Sequence, residues 1–185
     1  MDVEGLVAMQ ECIGVVEEAD QHAAEPASAG MSVEPRSQAL KYLETHNTLN
    51  LATVGPEGPW AAALFYVHDA FLLYWLSDPS TRHSQNIARN PHAAVTINED
   101  YRDWRLIQGI QMEGTAEQVG TIRDVERPMR LYATKYPFLR NWRDPPLTLA
   151  KALGTVRVYQ FTPTRALFID NTREFGHREE VWPDR

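Results

Sequence analysis

The sequence is poor in the residues that several kinds of chemistry require. Cys12 is the single cysteine among 185 residues. An intrachain disulfide and a cysteine metal cluster are therefore excluded, which fits a reducing compartment. There is no basic excess: 18 Lys and Arg stand against 25 Asp and Glu, a formal net charge of −7. A general nucleic-acid binder needs a basic face to neutralise phosphates, so that class is set aside, although a local basic pocket for one phosphate is not. No apolar run approaches membrane-spanning length. The start of the chain has neither the basic stretch nor the apolar core of a secretory signal. The expectation is a cytoplasmic protein with neither nucleic acid nor membrane as partner. A Gly-rich dinucleotide fingerprint, a P-loop, a His-Glu-x-x-His pair and a Gly-x-Ser-x-Gly elbow are all missing. His22, His46, His68, His83, His92 and His177 show no tight metal spacing, so no metal site is expected.

What the chain does have is enough apolar residue for one core, with 43% hydrophobic residues and five tryptophans. Residues 1–33 differ from the rest. They are acidic and alanine-rich, and they contain Glu25-Pro26-Ala27-Ser28-Ala29-Gly30, which is linker chemistry. Leu6, Met9, Ile13 and Val16 fall near helical spacing. This segment reads as a flexible or partly helical extension, and residues 34–185 as one domain. A helix is expected from Pro35 to about Asn47, with proline in its first turn. Strands follow at Thr48–Val54, Trp60–Val67 and Phe71–Leu76, separated by Gly55-Pro56-Glu57-Gly58-Pro59 and by His68-Asp69-Ala70. Further strands are expected at His92–Asn98 and Leu106–Val119, where Gly109 and Gly114 suggest bulges or close backbone approach. Thr121 caps a helix to Tyr136 that Pro128 should kink or divide. Leu147–Ala152 reads as a short helix. Two last strands, Thr155–Phe161 and Arg165–Asp170, flank Pro163. Short strands with tight turns argue for an antiparallel barrel with peripheral helices.

The stretch with the most chemistry runs from Leu76 to Pro91. A buried strand ends at Leu76. Ser77, Asp78 and Ser80 are good helix caps, and Asn90-Pro91 is a stop. Ser77, Thr81, Arg82 and His83 crowd a helix start, where unpaired N–H groups and partial positive charge favour an anion. Just upstream, Trp60-Ala61-Ala62-Ala63-Leu64-Phe65 places three alanines in a strand, a surface flat enough for a planar ligand to approach the backbone.

This pattern of strand-end hydroxyl, turn, hydroxyl, arginine, second basic residue and closing Asn-Pro resembles the cofactor-phosphate segment of the pyridoxamine 5'-phosphate oxidase-like, FMN-binding split-barrel family. His83 stands where that family often has lysine. The resemblance covers about Arg36 to Arg178 and implies an antiparallel split barrel of six or more strands, with a homodimer holding two FMN sites at its interface. It implies that Ser77, Thr81, Arg82 and His83 hold the FMN phosphate, that Ala62, Ala63, Leu64 and Phe65 meet the ring, and that Leu76 belongs to the same cofactor-binding set. Gln108, with Gln111 as the neighbouring candidate, would reach the flavin from the fifth strand, and Trp104 would wall the substrate side. The tail Asp170-Asn171…Phe175-Gly176-His177-Arg178 resembles the C-terminal signature of small members, with Phe175, His177, Arg178 and Trp182 reaching a flavin across the interface. The activity implied is flavin-dependent oxidoreduction of a small-molecule substrate. No second set of basic residues is evident for a substrate phosphate, which argues against pyridoxamine phosphate itself. A carrier or sensor that binds flavin or haem without turnover, and a reductase using a deazaflavin, remain open alternatives.

Overall fold

Alternation decides the first strand. Leu49, Leu51 and Thr53 are buried while Asn50, Ala52 and Val54 face outward, the period of two that a half-buried strand requires. The structure, a computed structural model, describes residues 34–141 and 154–182. They form α1 (Pro35–Thr45), β1 (Thr48–Gly55), β2 (Gly58–Asp69), β3 (Leu72–Ser77), α2 (Arg82–Arg89), β4 (His92–Asn98), β5 (Gln108–Gln118), α3 (Ile122–Lys135), β6 (Arg157–Asp170) and β7 (Arg178–Trp182). The strands are antiparallel in the order β3-β2-β1-β4-β5-β6-β7. A further pairing of β3 with β6 closes the first six into a barrel. β7 is the extra strand, added to β6 beyond the reach of β3. The fold is the antiparallel barrel that the strand pattern implies, in the split form that the resemblance implies.

The barrel is filled by Leu49, Leu51, Tyr66, Leu73, Trp75, Val95, Ile97, Ile110 and Phe161, all at most 1% exposed. A second cluster lies under α3, whose Met129 and Tyr132, followed by its C-cap Tyr136, recur at helical spacing against Val67, Tyr74 and Val158. α1 buries Ala39, Tyr42 and Leu43, and Arg36 ties it to β7 by donating to Val181 O at 3.1 Å.

Three sequence readings change. Pro163 does not divide a strand: β6 runs unbroken through it. β5 shifts register at Glu113/Gly114 opposite Pro163, and on its other edge β6 pairs with β3 only to Phe161 and with β7 only from Ala166. The missing N–H of Pro163 therefore falls where no ladder on that edge needs it. Pro128 lies inside one unbroken helix, α3, held by the buried stripe just described. His68 and Asp69 belong to β2, and the turn is made by Ala70, at φ 51°, with Phe71. The short helix expected at Leu147–Ala152 lies outside the described residues, as does the extension at 1–33.

Antiparallel strands give the barrel two rims. One carries the end of β1, the start of β2, the end of β3 and the start of β4. The other carries the start of β1, the end of β4, the start of β5 and the end of β6.

Candidate cofactor site

The first rim holds the hydroxyl cluster. Ser77 is the last residue of β3 and 6% exposed, and His83, in the first turn of α2, is buried equally. Ser77 Oγ and His83 Nε2 share a hydrogen bond of 2.5 Å. Thr81 Oγ1 donates to Asp78 O at 2.8 Å and lies 3.1 Å from His83 Nε2 and 2.9 Å from Ser84 Oγ. Burial holds the His83 imidazole below its ordinary pKa, because desolvation penalises the charged form. His83 is therefore a neutral hydrogen-bonding group at neutral pH, unlike a lysine.

The helix that presents the cluster starts one residue later than the capping pattern suggests. Its N-cap is Thr81, whose side chain makes no capping bond. Asp78 turns its carboxylate back onto Ser80 N and Oγ at 2.8 and 2.6 Å instead. Among the described residues, no side chain thus claims the first-turn N–H groups of α2, which is what an anion site at a helix start needs. Asn86, 4% exposed, anchors the helix by donating to Thr53 Oγ1 at 3.2 Å. Gly55 makes that approach possible: a Cβ there would stand 1.9 Å from Asn86 Oδ1.

Arg82 does not join the hydroxyls in this arrangement. Its guanidinium lies over the Trp60 ring, 4.6 Å from the centroid, and donates to Glu57 O at 3.1 Å. It stands at the mouth of the cluster between α2 and the β1–β2 turn. Leu76 packs on the cluster beneath α3.

The split in the barrel lies beside these groups. β1 pairs with β2 from Gly58 to Phe65, but β3 pairs with β2 only at Tyr66–Asp69. Tyr66 N donates to Asn47 O, so the alternation of antiparallel bonds turns Leu64 and Ala62 toward β1. Ala61, Ala63 and Phe65 turn their backbone groups to the open edge. Phe65 O there accepts from Tyr132 Oη at 2.8 Å, and the same hydroxyl reaches Tyr74 O at 3.3 Å. α3 thus pins the fork where β2 and β3 part. Of the four β2 residues carried over from the resemblance, Ala63 presents unclaimed backbone groups, Phe65 a partly claimed pair, and Ala62 and Leu64 spend theirs on β1.

Gln108, Phe175, His177 and Arg178 sit at the other rim. Gln108 Nε2 donates to Asp170 Oδ1 at 3.0 Å. Asp170, 3% exposed, also accepts from Thr172 N and Oγ1. Burial pushes its pKa up, but those bonds and the nearby Arg173 outweigh it and hold the carboxyl low. The turn after β6 is thereby fixed, with Phe175 75% exposed and its ring edge-on to Trp104 at 5.4 Å. Arg178 Nη1 donates to Gly176 O at 3.3 Å, and Trp182 packs against Phe71 and Arg36. Gln111 faces outward on the sheet. One chain therefore keeps the two halves of the expected flavin site on opposite rims.

Comparison with known proteins matches this architecture. The family model described as pyridoxamine 5'-phosphate oxidase covers residues 36–170. The chain belongs to that family. Among its relatives, a UPF0306 protein of Klebsiella pneumoniae (strain 342) is 29% identical over 121 residues, which is 64% of this chain and 74% of that protein. UPF0306 protein YhbP of Escherichia coli O157:H7 (strain EC4115 / EHEC) is 30% identical over 128 residues, 66% of this chain and 76% of that one. Among solved structures, a heme binding protein from Mycobacterium smegmatis aligns with a TM-score of 0.62 at 16% identity, covering 85% of this chain and 59% of that one. HutZ, a heme storage protein from Vibrio cholerae, aligns with a TM-score of 0.56 at 17% identity, covering 72% and 91%. At those identities the structural likeness shows the fold.

The sequence missed Asn86 and Tyr132. Asn86 left no local signal, since its partner Thr53 lies 33 residues away. Tyr132 left no local signal, since its partners lie 67 and 58 residues away.

Proposed function

We propose that this protein binds FMN and acts as a flavin-dependent oxidoreductase on a small molecule. The observation that carries the reading is the adjacency of two features. The open edge of β2 offers unclaimed backbone groups at Ala63 beside the buried Ser77–Thr81–His83 cluster and the uncapped start of α2. The residues fit a phosphate ester: hydroxyls, one imidazole and free amides converge, and Arg82 is the cation at the mouth. A bound flavin would supply hydride or electron transfer, and the protein would bind and orient it.

The reading requires a second copy, because Gln108 and Arg178 stand on the far rim of their own chain. An exposed sheet face suits that role. Asn50, Ala52, Val54, Ala61, Ala63, Phe65 and Ala94 share it by register and are all exposed, Val54 by 51% and Phe65 by 56%. Small and apolar side chains over three strands form a flat patch of the kind that marks a protein interface.

The test is FMN titration of the protein freed of bound ligand, followed by quenching of flavin fluorescence. Arg82→Ala should weaken binding by about 10- to 100-fold, the worth of a hydrogen bond to a charged group. Unchanged affinity in Arg82→Ala and in Ser77→Ala would remove the phosphate cradle from the account. The second reading, a haem carrier without turnover, draws on the two structural neighbours named for heme. It expects a Soret band on adding haem and no steady-state rate with flavin.

A further inference from the structure

The hydroxyl cluster is short of positive charge for the group proposed to fill it. A phosphate monoester carries about −1.5 to −2 at neutral pH. His83 is neutral in its buried place. Arg82 is shared with Glu57, whose carboxylate lies 3.6 Å from its Nε. The Asp78 carboxylate, next in the chain after Ser77, adds negative charge to the same turn. Hydroxyls and backbone amides orient a phosphate but carry no charge to offset it.

We propose that Arg157, at the start of β6, is the second cation of this site and reaches the phosphate from the β6 side of Ser77. That role rests on the placement of the FMN phosphate at the hydroxyl cluster proposed above, and no motif in the sequence marks it.

Register puts Arg157 there. β3 pairs with β6 as far as Ser77 opposite Arg157. Residues directly opposed on antiparallel strands share a face, with Cβ atoms about 4.5–5.5 Å apart. The pairs beneath obey that rule. Trp75 and Tyr159 stack with ring centroids 5.9 Å apart and planes 9° from parallel, and Leu73 and Phe161 are both buried in the barrel core. Ser77 and Arg157 are the next pair on that face, one step toward the rim. Ser77 turns its hydroxyl to His83, and Arg157 starts beside it and is exposed at the mouth.

Half of the Arg157 head group is uncommitted. Nη1 donates to Val156 O at 2.9 Å and to Gly154 O at 3.5 Å, both on the chain entering β6. Among the described residues, Nε and Nη2 take no hydrogen bond or ion pair. Those two nitrogens carry the parallel N–H pair of a guanidinium, the fork that takes two phosphate oxygens at once. The charge of Arg157 is already felt at the turn that carries the cluster. Hydrogen bonds from Ser80 chiefly, with Thr155 and the Arg157 charge, hold the Asp78 carboxyl below its usual range. Arg157 thus also offsets the one carboxylate next to Ser77 that would repel an anion.

FMN and riboflavin, the same ring without the phosphate, are titrated into the ligand-free full-length protein and followed by flavin fluorescence. Arg157→Ala should weaken FMN binding by about 10- to 100-fold and riboflavin binding by less than about twofold, at an unchanged urea midpoint. Arg157→Lys, which keeps the charge and loses the fork, should fall between. Wild-type FMN affinity in Arg157→Ala, or an equal loss for riboflavin, would overturn the proposal and leave the flavin reading standing. If the parent protein binds no FMN, the flavin reading fails, and inorganic phosphate tests Arg157 alone. Against chloride at matched ionic strength, phosphate should then raise the melting temperature of the parent protein more than that of Arg157→Ala. An equal rise in both, or none in the parent, would overturn the proposal.

Discussion

His83 carries the pH dependence of the hydroxyl cluster. Burial lowers its pKa in the folded protein. Between that lowered value and about 6.5, where an unfolded histidine titrates, the unfolded chain binds more protons. Stability therefore rises with pH through that window and is flat above it. His68, lowered mainly by burial, contributes with the same sign. Urea midpoints measured from acid to neutral pH should show a shallower dependence below about pH 6.5 in His83→Gln than in the parent protein. Equal slopes would mean that His83 is not held neutral by burial. At this scale the hydroxyls were legible, because Ser77, Thr81 and His83 lie within seven residues around a recognisable helix start. The direction of Arg82 was not, because Trp60 and Glu57, which hold it, come from another turn of the chain. Asn86 was hidden for the same reason: its partner is Thr53, and the glycine that admits it, Gly55, read simply as a turn residue.

Two elements position the site, the fork between β2 and β3 and the bulge between β5 and β6. The fork depends on Tyr132, whose hydroxyl bridges Phe65 O and Tyr74 O. Tyr132→Phe should destabilise the protein by about 1–3 kcal/mol, since it takes the donor from Phe65 O. FMN affinity should fall with it, because β2 and β3 then part without a pin. Wild-type denaturant midpoint and affinity would contradict this role. The bulge depends on Gly114, where a Cβ would meet Thr162 O at 2.2 Å and Pro163 Cα at 2.8 Å. Both are backbone atoms, so Gly114→Ala should cost about 1–3 kcal/mol of strain, read as a lower urea midpoint at unchanged slope. The sequence showed a special glycine there but divided β6 at Pro163. What it lacked was the knowledge that neither β3 nor β7 pairs at that point. β7 was missed for a simpler reason. In Arg178-Glu179-Glu180-Val181-Trp182 only the last two residues are apolar, and the strand exists because Val181, 4% exposed, docks on the finished barrel.

At the scale of the whole molecule, the barrel separates its chemistry by rim. The hydroxyl cluster and the open β2 edge lie toward one end, and the tail and Gln108 lie toward the other. That separation is a product of antiparallel pairing and long-range register, so spacing along the sequence did not reveal it. In the reading proposed above, a homodimer through the flat sheet face would bring opposite rims of two chains into one flavin site. Light scattering after gel filtration should give twice the chain mass, and Ala63→Glu, which buries a charge in that face, should give the chain mass. A dimer that survives Ala63→Glu would place the interface elsewhere. The most direct test of the central claim is an absorbance spectrum of the purified protein, taken before and after adding excess FMN and removing the free part. Flavin bands retained near one equivalent per chain are the predicted result. A protein that stays colourless and retains no added FMN would contradict the flavin reading at its root.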